Sequence, residues 1–175
     1  MYRIYALRQP GHEGGRLALQ YALTRAGLSP KLEPERLPGG KPVLSGFPFS
    51  LSHAGDWAVC AVSDGPVGVD LERERPLRHA VERRLTANEQ NELGQLPPEQ
   101  WASGFFDLWV LKEAALKYTG QGLAGLSQVE VSRRPVRVLL PGVSAALLPF
   151  PEAGYHLALC GEARRPERAE LVVLN

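Results

Sequence analysis

The stretch Val67-Gly68-Val69-Asp70-Leu71-Glu72 predicts a strand that carries two carboxylates. Successive side chains of a strand point to opposite faces, so Asp70 and Glu72 share one face and Val69 and Leu71 the other. Two carboxylates held this close repel each other. Mg²⁺ suits one or two carboxylates together with substrate phosphates, so a cation site explains the pattern. A half-exposed strand with a solvated acidic face explains the same spacing, and both interpretations stay open on spacing alone.

A second group of charges lies in the predicted helix over residues 99–118. This helix is apolar nearly all round, so it should be largely buried, and charges within it need partners. Glu113 and Lys117 are four residues apart and share a face with each other and with Trp109. One interpretation is a simple Glu–Lys pair on a solvated face. The other is a carboxylate that serves as metal ligand or base, beside a lysine for a phosphate.

The rest of the chain predicts a mixture of strands and helices. Within the predicted helix at 78–96, Thr86-x-x-Glu89 resembles a capping box, and Pro- and Gly-rich residues 29–48 predict a long loop. The remaining predicted elements are strands at 2–7, Phe49–Ser52, Trp57–Val62 and across 127–174, and helices at 14–26 and 78–96.

A polar turn follows the strand that begins at Phe49. Ser52 and His53 offer a hydroxyl and an imidazole to an anion, but neighbours on a strand face opposite ways, so they do not form a nucleophile–base pair. Upstream, Lys41 lies in the loop within Gly40-Lys41-Pro42. Taken singly, each of these features is ordinarily structural or solvated.

Composition narrows the function classes. The chain has 175 residues, 44% of them hydrophobic, and a formal net charge of +1, which argues against a general nucleic-acid binder. No apolar run approaches membrane length, and the N-terminus lacks a signal-peptide pattern, which predicts a cytoplasmic protein without membrane contact. Cys60 and Cys160 lie in apolar runs and should be buried, reduced core thiols.

Taken in order, these motifs resemble the 4′-phosphopantetheinyl transferase superfamily. The closer resemblance is to its larger, two-half class, which activates surfactin-type synthetases (the Sfp type). That class shows Gly-Lys-Pro, then Phe-x-x-Ser-His-Ser, then (Ile/Val)-Gly-(Ile/Val)-Asp-x-Glu, and later (Phe/Trp)-(Ser/Cys/Thr)-x-Lys-Glu-(Ala/Ser)-x-x-Lys. Residues 40–122 supply all four in register. Two positions depart from the pattern: Ala54 replaces the second serine, and Val110 replaces a small polar residue.

The resemblance implies a role for each matching residue. Asp70, Glu72 and Glu113 would bind Mg²⁺ with the pyrophosphate of coenzyme A. Glu113 would also deprotonate the carrier serine, directly or through water, and Lys117 would neutralise the pyrophosphate. The implied coenzyme A contacts outside this group are Lys41, Ser52, His53 and, in the first helix, Arg16.

The resemblance also implies an α+β fold of two similar halves, residues 1–65 and 66–175, with the active site in the cleft between them. It implies transfer of phosphopantetheine from coenzyme A to a serine of an apo acyl or peptidyl carrier protein, with release of adenosine 3′,5′-bisphosphate. One chain holds every site element, so an active monomer is expected. The rival functions are a metal-dependent nucleotide phosphohydrolase and a non-catalytic coenzyme A-binding module.

Overall fold

The computed structural model describes residues 1–77, 81–162 and 165–174. Within these residues it has eleven strands and three α-helices, which confirms an α+β protein. In chain order they are β1 (Arg3–Leu7), α1 (Gly11–Arg25), β2 (Glu35–Arg36), β3 (Pro42–Val43), β4 (Phe49–Ala54), β5 (Trp57–Val62), β6 (Val67–Arg73), α2 (Ala87–Gly94), α3 (Pro98–Thr119), β7 (Val131–Arg133), β8 (Val136–Val138), β9 (Val143–Leu148), β10 (Tyr155–Glu162) and β11 (Glu170–Leu174).

Two larger sheets organise the molecule. The first has the order β11-β1-β5-β4 and packs against α1, and the second has the order β6-β10-β9 and packs against α3. Strand β11 pairs in parallel with β1, joining Arg3 to Glu170. The last strand of the chain therefore lies in the first sheet, whereas the sequence places all of residues 66–175 in the second half. Two short hairpins, β2-β3 and β7-β8, complete the strands that the structure describes.

The predicted acidic strand forms, and it is buried on both faces. Val67, Val69 and Leu71 pack into one apolar cluster with strands of the first sheet. The opposite face packs against α3, where a Cβ at Gly68 would lie 2.0 Å from the carbonyl oxygen of Ala114. Glycine is thus needed for this close approach. The approach brings Asp70, two residues further along β6, within 2.7 Å of the Lys117 ammonium on α3.

Helix α3 runs for 22 residues and ends at Gly120, which adopts a left-handed conformation with φ of 74°. Proline occupies its first turn, where no backbone donor is needed, and glycine tolerates the left-handed cap. Its buried residues include Phe106, Leu111 and Leu116, as the nearly continuous apolar pattern predicts. None of the helices in the described part of the chain is long and apolar enough to cross a membrane.

The predicted helix over 78–96 is only partly confirmed. A 3₁₀ turn spans Val81–Arg84, and α2 begins after Thr86, whose side chain accepts a hydrogen bond from the Glu89 amide in a complete capping box. The extended backbone of the N-cap residue separates the two helical pieces. Residues 78–80 lie outside the described residues. Both cysteines are free and buried, as expected.

Candidate active site between beta 6 and alpha 3

Asp70 is the buried centre of the charged cluster between β6 and α3. Its Oδ1 accepts hydrogen bonds from Lys117 Nζ and from Ser52 Oγ, both at 2.7 Å. Its Oδ2 is buried and has no hydrogen-bond partner in the described part of the chain. Burial raises the pKa of Asp70, and the neighbouring ammonium of Lys117 opposes that rise.

Glu72 lies on the same face of β6, as the strand pattern predicts. Its Oε1 accepts a hydrogen bond of 3.2 Å from Trp109 Nε1 on α3, and its Oε2 accepts one of 2.6 Å from Arg75. The side chain is 19% exposed. Arg75 and Trp109 are partners of Glu72 that the sequence interpretation did not assign to the site. Arg75 lies three residues after Glu72, and Trp109 shares a helix face with Glu113, so local spacing could have indicated both.

Glu113 stands at the wall of a cavity of about 440 Å³ that we call the cleft cavity. Burial is the largest cause that raises the pKa of Glu113 to about 7, and the negative charges of Asp70 and Glu72 add to it. Lys117 acts in the opposite direction. Asp70 and Glu72 thus lie close enough to Glu113 for their charges to act on its carboxyl group. Residues that line the cleft cavity include Lys41, Pro42, Leu51, Glu113, Leu116, Lys117 and Leu123.

The donor set of this cluster fits a hard cation in part. Asp70 Oδ2 is a buried carboxylate oxygen that lacks a partner, and carboxylate oxygens are the ligands that Mg²⁺ prefers. Among the described residues, however, no three acidic, histidine or cysteine side chains come close enough to form a complete metal-binding group. Each strand carboxylate is instead paired with a cation of the chain: Asp70 with Lys117 and Glu72 with Arg75.

The loop lysine also reaches this region. Lys41 Nζ donates to the carbonyl oxygens of Val67, at 3.2 Å, and Tyr118, at 3.3 Å, near the end of α3. Burial lowers the pKa of Lys41. The ammonium thus spans the start of β6 and the carboxyl end of α3, where carbonyl groups lack helical partners and a positive charge is favourable.

His53 is exposed, while the adjacent Ser52 is buried, which confirms that the two side chains face opposite ways. The ring of His53 makes an edge-to-face contact with His12, with centroids 4.8 Å apart. Partial burial, and then the positive charges of His12 and Lys117, lower the pKa of His53. His12 is a neighbour that the sequence interpretation missed, because no local spacing links residues 12 and 53.

The comparisons with known proteins agree with this arrangement. A family model described as the 4′-phosphopantetheinyl transferase superfamily matches residues 66–160, more than half of the chain. The chain is 39% identical over 149 residues, 76% of its length, to the 4′-phosphopantetheinyl transferase psf-1 of Bacillus pumilus. The chain belongs to the 4′-phosphopantetheinyl transferase superfamily.

Three further relatives match over shorter stretches. A 4′-phosphopantetheinyl transferase of Bacillus subtilis is 34% identical over 111 residues, and HetI of a Nostoc species is 41% identical over 106 residues, which are 61% and 55% of this chain. The resemblance to the Sfp class is confirmed, since Sfp of Bacillus subtilis strain 168 is 32% identical over 89 residues, 49% of this chain and 40% of Sfp. The aligned stretches span 61%, 48% and 45% of psf-1, the Bacillus subtilis transferase and HetI.

Two basic residues do not line the cleft cavity: Arg16, an implied coenzyme A contact outside the four motifs, and Lys112, which belongs to the Lys-Glu motif. Arg16 is exposed on α1, and its guanidinium donates hydrogen bonds of 2.9 and 2.5 Å to Glu13. Lys112, which precedes Glu113 in the Lys-Glu doublet, is fully buried on the other side of α3. It donates to both carboxylate oxygens of Glu89, at 2.8 Å each, and to the carbonyl oxygen of Val129. Lys112 therefore forms a buried ion pair within the fold, whereas Glu113 lines the cleft cavity.

Proposed function

We propose that this protein transfers the 4′-phosphopantetheine moiety of coenzyme A to a serine hydroxyl of an apo carrier protein. The observation that carries the proposal is the Glu113 carboxyl, which lines a cavity beside Lys117 and has a pKa of about 7. A general base works best when its pKa lies near the working pH. The membership of the chain in the superfamily supports the same reaction.

In this proposal Glu113 accepts the proton of the carrier serine, directly or through a water molecule. The serine oxygen bonds to phosphorus as the phosphoanhydride bond of coenzyme A breaks, and adenosine 3′,5′-bisphosphate leaves. Lys117 neutralises charge on the pyrophosphate, a role supported by its position between Asp70 and the cleft cavity.

The cleft also offers groups for the phosphates of coenzyme A. We assign Lys41 and His53 to them, since Lys41 lines the cavity and His53 lies within the electrostatic influence of Lys117 and Asp70. Contacts of Ser52 and Arg16 with coenzyme A stay predictions, because Ser52 is bonded to Asp70 and Arg16 to Glu13.

Asp70, Glu72 and Glu113 would hold Mg²⁺, with the unpartnered Oδ2 of Asp70 as the best-supported ligand. When bound, the ion neutralises negative charge on the reacting phosphates. The negative charges of Asp70 and Glu72 raise the pKa of Glu113, and a cation bound at Asp70 would offset that repulsion.

The test is to incubate the protein with an apo carrier protein, coenzyme A and Mg²⁺, and to weigh the carrier by mass spectrometry. We expect the carrier to gain the mass of phosphopantetheine, and a Ser→Ala variant of the carrier at its acceptor serine to gain none. No gain across acyl and peptidyl carrier proteins would contradict the proposal.

The same assay separates the two rival functions. A metal-dependent phosphohydrolase would release adenosine 3′,5′-bisphosphate or phosphate from coenzyme A in the absence of any carrier. A non-catalytic binding module would bind coenzyme A without turnover, and its binding would not depend on Glu113. Product release that requires the carrier supports the transferase.

A further inference from the structure

Two serine hydroxyls join β4 to β6, which belong to different sheets. The amide of Val69 donates to Ser50 Oγ at 3.0 Å, and the amide of Leu71 donates to Ser52 Oγ at 3.2 Å. Both serines are buried, with 3% and 6% exposure. These two hydroxyl oxygens therefore accept the amide hydrogen bonds of β6 that the backbone carbonyl oxygens of a neighbouring strand would accept in a regular sheet.

The two serines differ in the hydrogen bonds that their hydroxyl groups donate. Ser52 Oγ donates to Asp70 Oδ1 at 2.7 Å, so the hydroxyl is a donor to the carboxylate and an acceptor for the amide of Leu71. A serine hydroxyl has one proton, and that of Ser52 is committed to Asp70. Ser50 Oγ accepts a hydrogen bond from the amide of Val69, and no hydrogen bond from Ser50 to a carboxylate is found in the described part of the chain.

The bond from Ser52 determines how the carboxylate of Asp70 is turned. Oδ1 receives two donors, Ser52 Oγ and Lys117 Nζ, from different elements of the fold. These two directions leave Asp70 little freedom to rotate about its terminal bond. Its Oδ2 is consequently held apart from both donors, buried and without a partner among the residues described.

We propose that Ser52 is a positioning residue that holds the Asp70 carboxylate with Oδ2 available to a divalent cation. The inference rests on the proposed function, because it concerns the same candidate metal ligand. It gives Ser52 a different role from a direct coenzyme A contact, since its only proton already serves Asp70. Hydrogen bonds of this kind, from a neighbour to a metal ligand, tune metal affinity by orienting the ligand.

The test compares Ser52→Ala with Ser50→Ala, a matched pair in which each variant loses one hydroxyl-to-amide bond between β4 and β6. Mn²⁺ serves as the probe because it prefers the same oxygen ligands as Mg²⁺ and its binding is followed by electron paramagnetic resonance. The titration uses the full chain without coenzyme A or carrier. We expect Ser52→Ala to weaken Mn²⁺ binding by about 10- to 100-fold, the usual range for the loss of a ligand's hydrogen-bonded neighbour. Ser50→Ala should bind Mn²⁺ as the parent does.

Equal weakening in both variants would overturn the inference, because general loosening between the sheets would explain it. A higher Michaelis constant for coenzyme A in Ser52→Ala with unchanged Mn²⁺ binding would also overturn it. If Ser52→Ala does not fold, Ser52→Cys keeps the shape with a weak donor and should show the same direction of change. Failure of the parent protein to bind Mn²⁺ would overturn the inference, whereas failure to modify a carrier would overturn only the proposed function.

Discussion

At the scale of single residues, Glu113 should separate binding from chemistry. Glu113→Gln keeps the shape of the side chain and removes a group whose pKa of about 7 suits a base. We expect turnover to fall by about a hundredfold or more, the usual range for loss of a general base, while coenzyme A still binds. Single-turnover kinetics and calorimetric titration measure the two effects. Equal loss of affinity and rate would make Glu113 mainly a ligand, and loss of neither would make its role structural.

His53 and Lys41 should contribute to the binding of coenzyme A rather than to the binding of the carrier protein. Both lie near Lys117 or the cleft cavity and carry donors for anionic phosphates. We expect His53→Ala and Lys41→Met to raise the Michaelis constant for coenzyme A more than that for the carrier. Added salt should weaken coenzyme A binding by the parent protein and weaken it less in Lys41→Met. A defect confined to the carrier in either variant would contradict this placement.

At the scale of elements, a buried ion pair fastens α2 to α3 and β7. Glu89 and Lys112 are fully buried, and Glu89 also accepts hydrogen bonds from the amides of Thr86 and Val131. Lys112→Met leaves the carboxylate buried without its cation, which should cost about 3–5 kcal/mol of unfolding free energy. Chemical denaturation measures the loss.

The double variant Lys112→Met/Glu89→Gln provides the control for that pair. The amides of Thr86 and Val131 donate to different oxygens of Glu89, so glutamine keeps an acceptor for only one of them. It also removes the unpaired buried charge, which is the larger cost, so the double variant should be more stable than Lys112→Met alone. Additive losses from the two substitutions would show that the charges are not coupled.

His156, on β10, is linked to two other segments of the chain, and the strength of this linkage depends on pH. Its Nδ1 lies 2.8 Å from Asp107 on α3, and its Nε2 lies 2.8 Å from Glu74, which follows β6. Burial opposes the charged form, but hydrogen bonds to the two carboxylates outweigh it and raise the pKa of His156. A raised folded pKa means that this stabilisation is fully present below the unfolded value of about 6.5 and is lost as pH rises through the folded pKa.

We therefore expect His156→Gln to be less stable than the parent at acidic pH, with the difference shrinking as pH rises through the raised pKa. Urea unfolding of both proteins at matched pH values on each side of neutrality measures this difference. A constant difference across the range would show that the imidazole contributes through packing alone, through contacts such as its stacking on Phe106.

At the scale of the whole molecule, the proposed site is assembled within one chain. Ser52 and Lys41 come from the first half of the sequence, and both make hydrogen bonds to β6 or α3 of the second half. We expect a monomer in solution whose specific activity does not change on dilution. Light scattering and activity assays over a wide range of protein concentrations measure both properties. Activity that falls on dilution together with a larger mass would show a site shared between chains.

Local sequence patterns are sufficient to identify the candidate site residues and the elements that carry them. Alternation placed Asp70 and Glu72 on one face of β6, and helical spacing placed Glu113 and Lys117 together. The resemblance of Thr86-x-x-Glu89 to a capping box is confirmed, although the predicted helix began earlier, at residue 78. These features depend on backbone geometry over a few residues, so local pattern is sufficient to predict them.

The partner of each buried charge and the sheet that β11 joins follow instead from the packing of distant elements. Lys117 pairs with Asp70 and Lys112 with Glu89, although both lysines lie in the same helix, and β11 crosses back to join the first sheet. Ser52 meets Asp70 because β4 and β6 lie side by side across two sheets. Such pairings join residues far apart in sequence and follow from the packing of whole elements, in which each buried charge must find a partner, so no local spacing specifies them.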